Sequence, residues 1–237
     1  MTDADPRFDL GLYTSAEAAR LARLPPTTLR HWVEGYRYRL GGQLVRADPV
    51  IRLLQEGEPS LSFVNLAEII ALAGFRQAGV PMQRVRRALE YASLHMGTDH
   101  PLGTERILTD GLDLFWEYQE REPNDVQLVN LSREGQKVFP DVVNRFLREM
   151  EWGPDLFVTR WWPGRQNEAA SGFVVVDPRR AFGAPVLAGT GIRTEDVFQR
   201  FRGGESITDL TEDYGLTLEQ VQAAIRLETR LLEPLAA

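Results

Sequence analysis

Apolar positions fall into helical spacing from the first element onward. From residue 13 the chain reads Tyr-Thr-Ser-Ala-Glu-Ala-Ala-Arg-Leu-Ala-Arg-Leu-Pro-Pro-Thr-Thr-Leu-Arg-His-Trp-Val. Ala18 and Leu21 set small and apolar groups on one face. Thr14, with Glu17 three residues on, forms a capping box that starts a helix at Ser15. The chain turns at residues 22–25, and Pro26 takes the first position of a second helix, where its missing N–H costs nothing. On that helix Leu29, Trp32 and Val33 share a stripe, leaving Thr27, Thr28, Arg30 and His31 outward. Short polar side chains and an arginine on such a face are what major-groove reading needs. An ordinary αα-hairpin has the same periodicity.

Beyond residue 33 the period shortens. Residues 36–40 and 43–46 carry aromatic and β-branched side chains on either side of Gly41-Gly42, a two-residue hairpin turn. A Tyr/Arg hairpin behind a reading helix forms a wing, with Arg37, Arg39 and Arg46 available to phosphates or the minor groove. Helical spacing returns at 62–77 and 81–93, interrupted by Gly79-Val80-Pro81. The middle is β-leaning: residues 106–109 and 112–116 flank Asp110-Gly111, 126–131 and 156–162 read as strands, and 132–150 as an amphipathic helix. Residues 164–172 are polar and rich in breakers, a linker. The last segment opens with a strand at 173–176 and continues as three helices. The first begins at Thr194, and capping boxes Ser206/Asp209 and Thr217/Gln220 open the other two. The pattern predicts a mainly α protein with small β elements (α+β) in three domains: 1–94, a winged helix-turn-helix; 95–171, a small sheet with one helix; and 172–237, a three-helix helix-turn-helix.

Net charge is −7, which argues against a nucleic-acid partner until its distribution is examined. Residues 10–46 hold six arginines and two glutamates, so positive charge gathers at the first helix-turn-helix, as phosphate neutralisation requires. The C-terminal helix-turn-helix is acidic. Its last helix offers Glu219, Gln220, Gln222 and Glu228 with only Arg226 outside, a poor reader of DNA, and is assigned to protein contact. The absence of cysteine excludes disulfides, thiolate nucleophiles and Cys-zinc sites. His95, Asp99 and His100 are spaced unlike a zinc motif and read as a loop, and Gly189-Thr190-Gly191 lacks the lysine of a phosphate loop. No metal, cofactor or catalytic constellation is expected. Neither a signal peptide nor a membrane-length apolar run is found, so a soluble cytoplasmic protein is expected.

Two resemblances sharpen this reading. Thr-Leu-Arg-His-Trp in the second helix, with the 63–72 and Gly79-Val80-Pro81 pattern behind the wing, resembles the MerR-type winged helix-turn-helix over about the first 90 residues. The long dimerisation helix and cysteine effector site of metal-sensing members are lacking. The stretch Pro-Val-Leu-Ala-Gly-Thr-Gly-Ile from residue 185, followed by Gly-Glu-Ser-Ile-Thr-Asp-Leu and Gly-Leu-Thr-Leu-Glu-Gln-Val, resembles the small helix-turn-helix domain of unknown function found in bacterial antitoxins. Together the two make the chain similar to the longer VapB-type antitoxins. The resemblance implies a PIN-like ribonuclease toxin as partner, and a homodimer or larger hetero-oligomer.

On this reading Thr14, Ser15, Pro26, Thr27, Thr28, Arg30, His31, Arg37 and Arg39 bind operator DNA. Arg160, Trp161, Trp162 and Arg165 are the candidate toxin contact, adjacent aromatics flanked by guanidiniums able to replace a metal's charge among clustered acids. Their blander reading is one buried and one surface tryptophan at a strand end. The alternative function is a ligand-responsive regulator with the central sheet as sensor.

Overall fold

The computed structural model describes residues 4–54, 57, 60–106, 148–165 and 172–233. The strands expected at 112–116 and 126–131, and nearly all of the 106–109 strand and the 132–150 helix, lie outside them.

Helix α1 (Ser15–Leu21) starts at its Thr14/Glu17 capping box, and α2 (Pro26–Glu34) follows a turn in which Leu24 is buried. Gly35 ends α2 at φ 75°, where a side chain would strike the Ala47 carbonyl, so the chain reverses tightly into the wing. Strands β1 (Tyr36–Leu40) and β2 (Gln43–Ala47) pair antiparallel across Gly41-Gly42. Helix α3 (Phe63–Gln77), capped by Ser62 and Asn65, is buried around most of its circumference, and α4 (Met82–Met96) packs beside it.

The β elements beyond are short hairpins. Strand β3 (Met150–Trp152) pairs with β4 (Val158–Trp161), and β5 (Val174–Val175) with β6 (Val186–Leu187). Trp161 and Val176 exchange backbone hydrogen bonds of 3.0 and 2.8 Å, which fasten one hairpin to the other. Met150, expected at the end of a helix, instead opens β3. Three residues are too few to declare a period, so pairing with β4 decides the conformation. The chain ends in α5 (Thr194–Arg202), α6 (Ile207–Tyr214) and α7 (Leu218–Leu232), the latter two opened by the expected capping boxes.

One hydrophobic cluster runs through all three segments. Leu29 and Trp32 of the first unit, Phe63, Leu66 and Leu72 of α3, Val158 and Trp161 of β4, and Val197, Leu210 and Val221 of the last unit belong to it. Each such side chain, fully buried, contributes roughly 1.5–3 kcal/mol. Ahead of α1 the N-terminal residues strap the units together. Leu12 and Tyr13 bond to the Leu61 backbone, and Arg7 bridges Asp5 (2.6 Å) and Asp155 (2.5 Å).

Candidate nucleic-acid interface

On α2, Pro26, Thr27, Arg30 and His31 are exposed, as the periodicity requires. Thr28 corrects the expectation: it is only 8 % exposed and faces inward. Its place one turn before Trp32 puts it at the border of the apolar stripe, and packing takes it inside. The cap of α2 is Pro25, which offers no side-chain acceptor, and no acidic residue stands in its first turn. Thr14 is committed to its own helix: its hydroxyl accepts the Glu17 amide (3.2 Å) and donates to the Glu17 carboxylate (2.7 Å). Ser15, half-buried, is the first residue of α1.

The wing's register sorts its side chains. Tyr36 and Tyr38 lie on one face, and Arg37 and Arg39 on the other with Arg46 and Leu44 opposite them. The His31 ring stands 4.9 Å from that of Tyr36, which lies 5.7 Å from Tyr38, so an aromatic row ties the outward face of α2 to the root of the wing. Arg37 pairs directly across from Arg46, a like-charge arrangement that is unfavourable without an anion between the two. Arg46 lies 3.6 Å from Asp48, but both are well exposed and the pair is worth little. Arg86 of α4 braces the wing from behind by donating to the Asp48 carbonyl; burial lowers its pKa. Thr27 and Arg30 on α2, and Arg37 and Arg39 on the wing face opposite the tyrosines, are all exposed.

A polar seam joins the first helix-turn-helix to the last. Arg20 of α1 makes a 2.7 Å ion pair with Glu228 of α7, which is 2 % exposed and also accepts the Thr194 hydroxyl. The Tyr13 hydroxyl donates to the Gly183 carbonyl (2.9 Å), and burial drives that phenol's pKa far upward. Arg23 donates through Nε to the Glu233 carbonyl (2.9 Å). Glu228 thereby corrects its expected place on the exposed face of α7. The signal was present: it follows Val221, Ala224 and Ile225 at helical spacing, a carboxylate on an apolar stripe.

The candidate toxin-contact residues lie in and just after β4, and of their two charges that of Arg160 is already answered. Arg160 donates to Asp177 (2.9 Å) and Glu151 (3.0 Å), and its pKa is raised chiefly by the Asp177 bond. Trp161 is buried, with its indole N–H on Glu149; half-buried Trp162 donates to Glu151. Arg165, exposed, lies 5.6 Å from the Trp162 ring centre.

The histidines separate. His95 sits in the last turn of α4, not in a loop, with its ring 3.8 Å from Tyr91. Asp99 pairs with Arg52 (2.6 Å), and His100 with the buried Glu68 (3.1 Å). Burial alone would lower the His100 pKa, but the Glu68 hydrogen bond and charge outweigh it and the net shift is upward. Among the described residues no group of His, Cys, Asp or Glu is placed to hold a metal, and no helix is long and apolar enough to cross a membrane.

The fold holds two helix-turn-helix units, the first followed by a wing and carrying exposed arginines on its second helix and wing. Comparison with known proteins matches a DNA-binding helix-turn-helix family to the first unit and a family of unknown function to the last. Residues 11–89 match the family described as "Putative DNA-binding HTH domain", and residues 174–227 match "Protein of unknown function (DUF433)". "Putative antitoxin VapB45" of Mycobacterium tuberculosis (strain ATCC 25618 / H37Rv) is 36% identical over 229 residues, 92% of this chain and 94% of that protein. "Uncharacterized protein Rv2308" of the same organism is 28% identical, covering 92% of this chain and 90% of its own length. The crystal structure of Rv2018 from Mycobacterium tuberculosis superposes with a TM-score of 0.74 at 32% identity, over 92% of this chain and 99% of that one. The chain belongs to the VapB45 family of VapB-type antitoxins.

Proposed function

We propose that this protein is a non-enzymatic antitoxin and autorepressor of the cytoplasm. It binds operator DNA through α2 and the wing, and binds and neutralises a PIN-like ribonuclease toxin through its other segments. The observation that carries the DNA half is the exposure of Thr27, Arg30, Arg37 and Arg39 on a matched DNA-binding domain. Its guanidiniums supply phosphate neutralisation, and Arg30 and Thr27 stand where base edges pass in the major groove. A single helix of nine residues gives little specificity alone, so two copies on an inverted repeat are the operator-binding form. Support for the toxin half is membership in the antitoxin family.

The domains at 1–94, 95–171 and 172–237 divide these tasks: DNA for the first, dimerisation or toxin contact for the others. The test is co-expression with the neighbouring open reading frame, followed by a ribonuclease assay and a promoter gel shift. A stoichiometric partner whose ribonuclease activity emerges only when this chain is removed, together with a shift lost in Arg30→Ala, is the expected result. A chain that shifts its promoter yet binds no nuclease leaves a stand-alone regulator.

A further inference from the structure

We propose that the turn at residues 179–183 is a docking finger for an acidic protein partner, with Phe182 entering an apolar socket and Arg179 and Arg180 pairing with carboxylates on its rim. The inference rests on the reading that the chain neutralises a protein toxin, and it locates the contact.

Three successive residues of this turn are left-handed: Ala181 at φ 45°, Phe182 at φ 52° and Gly183 at φ 74°. Glycine accepts that conformation readily, whereas a bulky side chain adopts it rarely and only where the surroundings enforce it. Here they do. The Gly183 carbonyl receives the buried Tyr13 hydroxyl at 2.9 Å, and the Gly183 amide donates to the Arg180 carbonyl at 2.9 Å. Upstream, the Asp177 carboxylate receives the Arg179 amide at 2.9 Å. A Cβ at Gly183 would collide with the Tyr13 hydroxyl, so the turn is fixed from beneath.

This enforced geometry leaves the Phe182 ring 87% exposed, more than any other large apolar side chain among the described residues. Strain that served packing would carry the ring inward; here it holds the ring in solvent. A rigid aromatic has little freedom left to lose on binding, which is how a hot-spot residue gains affinity.

Charge settles the kind of partner. Arg179 and Arg180, both exposed, lead into the ring, and the Arg180 guanidinium makes no ion pair with a described residue. The shallow hollow behind the ring is mixed in charge, lined by Glu17, Arg20, Arg193 and Glu195. Arg179 and Arg180 make the leading edge cationic, which complements a partner whose socket is rimmed by carboxylates. Arg160, tied to Asp177 and Glu151, has its charge already answered.

The test uses the full chain and the co-expressed product of the neighbouring open reading frame, with affinity measured by calorimetry. Phe182→Gly removes the ring and relieves the strain, so the chain stays folded with an unchanged or higher melting temperature while affinity falls at least about tenfold. Arg180→Glu falls comparably, and Leu94→Ala, an exposed leucine on α4, binds as the parent does. A parent complex that Phe182→Gly matches in affinity overturns this inference and leaves the antitoxin reading standing. A parent chain that forms no complex overturns both. A parent dimer that Phe182→Gly dissociates in sedimentation makes a second copy the occupant, which also overturns it.

Discussion

The chain carries two helix-turn-helix units built from the same local grammar and turned to opposite ends. In the N-terminal unit the second helix begins at Pro26 without a side-chain cap or first-turn acid, runs nine residues, and leaves Arg30 and His31 outside. In the C-terminal unit α7 opens on a Thr217/Gln220 capping box with Glu219 in its first turn. It runs fifteen residues and buries a carboxylate toward its neighbour. An uncapped helix start free of acid tolerates a phosphate, whereas one already occupied by a carboxylate repels it. The motif is thus a scaffold, and the two units differ in the chemistry left on its second helix: exposed Arg30 on α2 and buried Glu228 on α7. Glu228 adds a further lesson, because the C-terminal unit holds the N-terminal one: α7 grips α1 through Arg20.

That asymmetry can be broken in several ways. The largest effect is expected at the seam. Arg20→Met strands the buried Glu228 carboxylate and should cost about 3 kcal/mol in urea unfolding. Glu228→Gln keeps polar partners for Arg20 and Thr194 and should cost less. Equal stability of Arg20→Met and the parent would mean that the seam does not hold the units together.

Next comes the reading face. Arg30→Ala should lose about 2 kcal/mol of discrimination at one operator position. Arg37→Ala should weaken all sequences alike and reduce the salt slope by about 1. Binding by both variants equal to the parent's would remove the assignment of α2 and the wing.

A smaller effect is expected from pH. The folded state raises the pKa of both His100 and Glu68, the first through Glu68 against burial and the second chiefly through burial. It therefore holds protons more tightly than the unfolded chain. Stability from His100 is fully present below its ordinary value of 6.5 and is lost as pH rises through the higher folded value. Unfolding midpoints should fall across that window, and Glu68→Gln should flatten the slope. Arg7, through its hydrogen bonds, acts in the opposite sense on Asp5 and Asp155. Their lowered pKa values give stability present above 3.8 and lost as pH falls through the folded values. The smallest effect is a predicted silence: Glu219→Gln on α7 should leave operator binding within error, and a changed gel shift would bring the C-terminal unit onto DNA.

What the sequence by itself determined is everything set by neighbours within one turn of chain. The capping boxes at Thr14, Ser206 and Thr217, the Pro26 start, the stripe of Leu29, Trp32 and Val33, and the Gly41-Gly42 hairpin all appear as read. Each depends on residues at most four apart, or on a turn that fixes its own register. Tertiary structure alone decided which polar groups go inside and who meets them. Thr28 turns inward beside Trp32, Glu228 meets Arg20 across 208 residues, and β3 exists because β4 pairs with it. Arg160 is claimed by Asp177, and Phe182 is held outward by Tyr13 through Gly183. Such contacts join segments whose separation leaves no local period, and a buried charge becomes favourable only once its partner arrives from elsewhere in the chain.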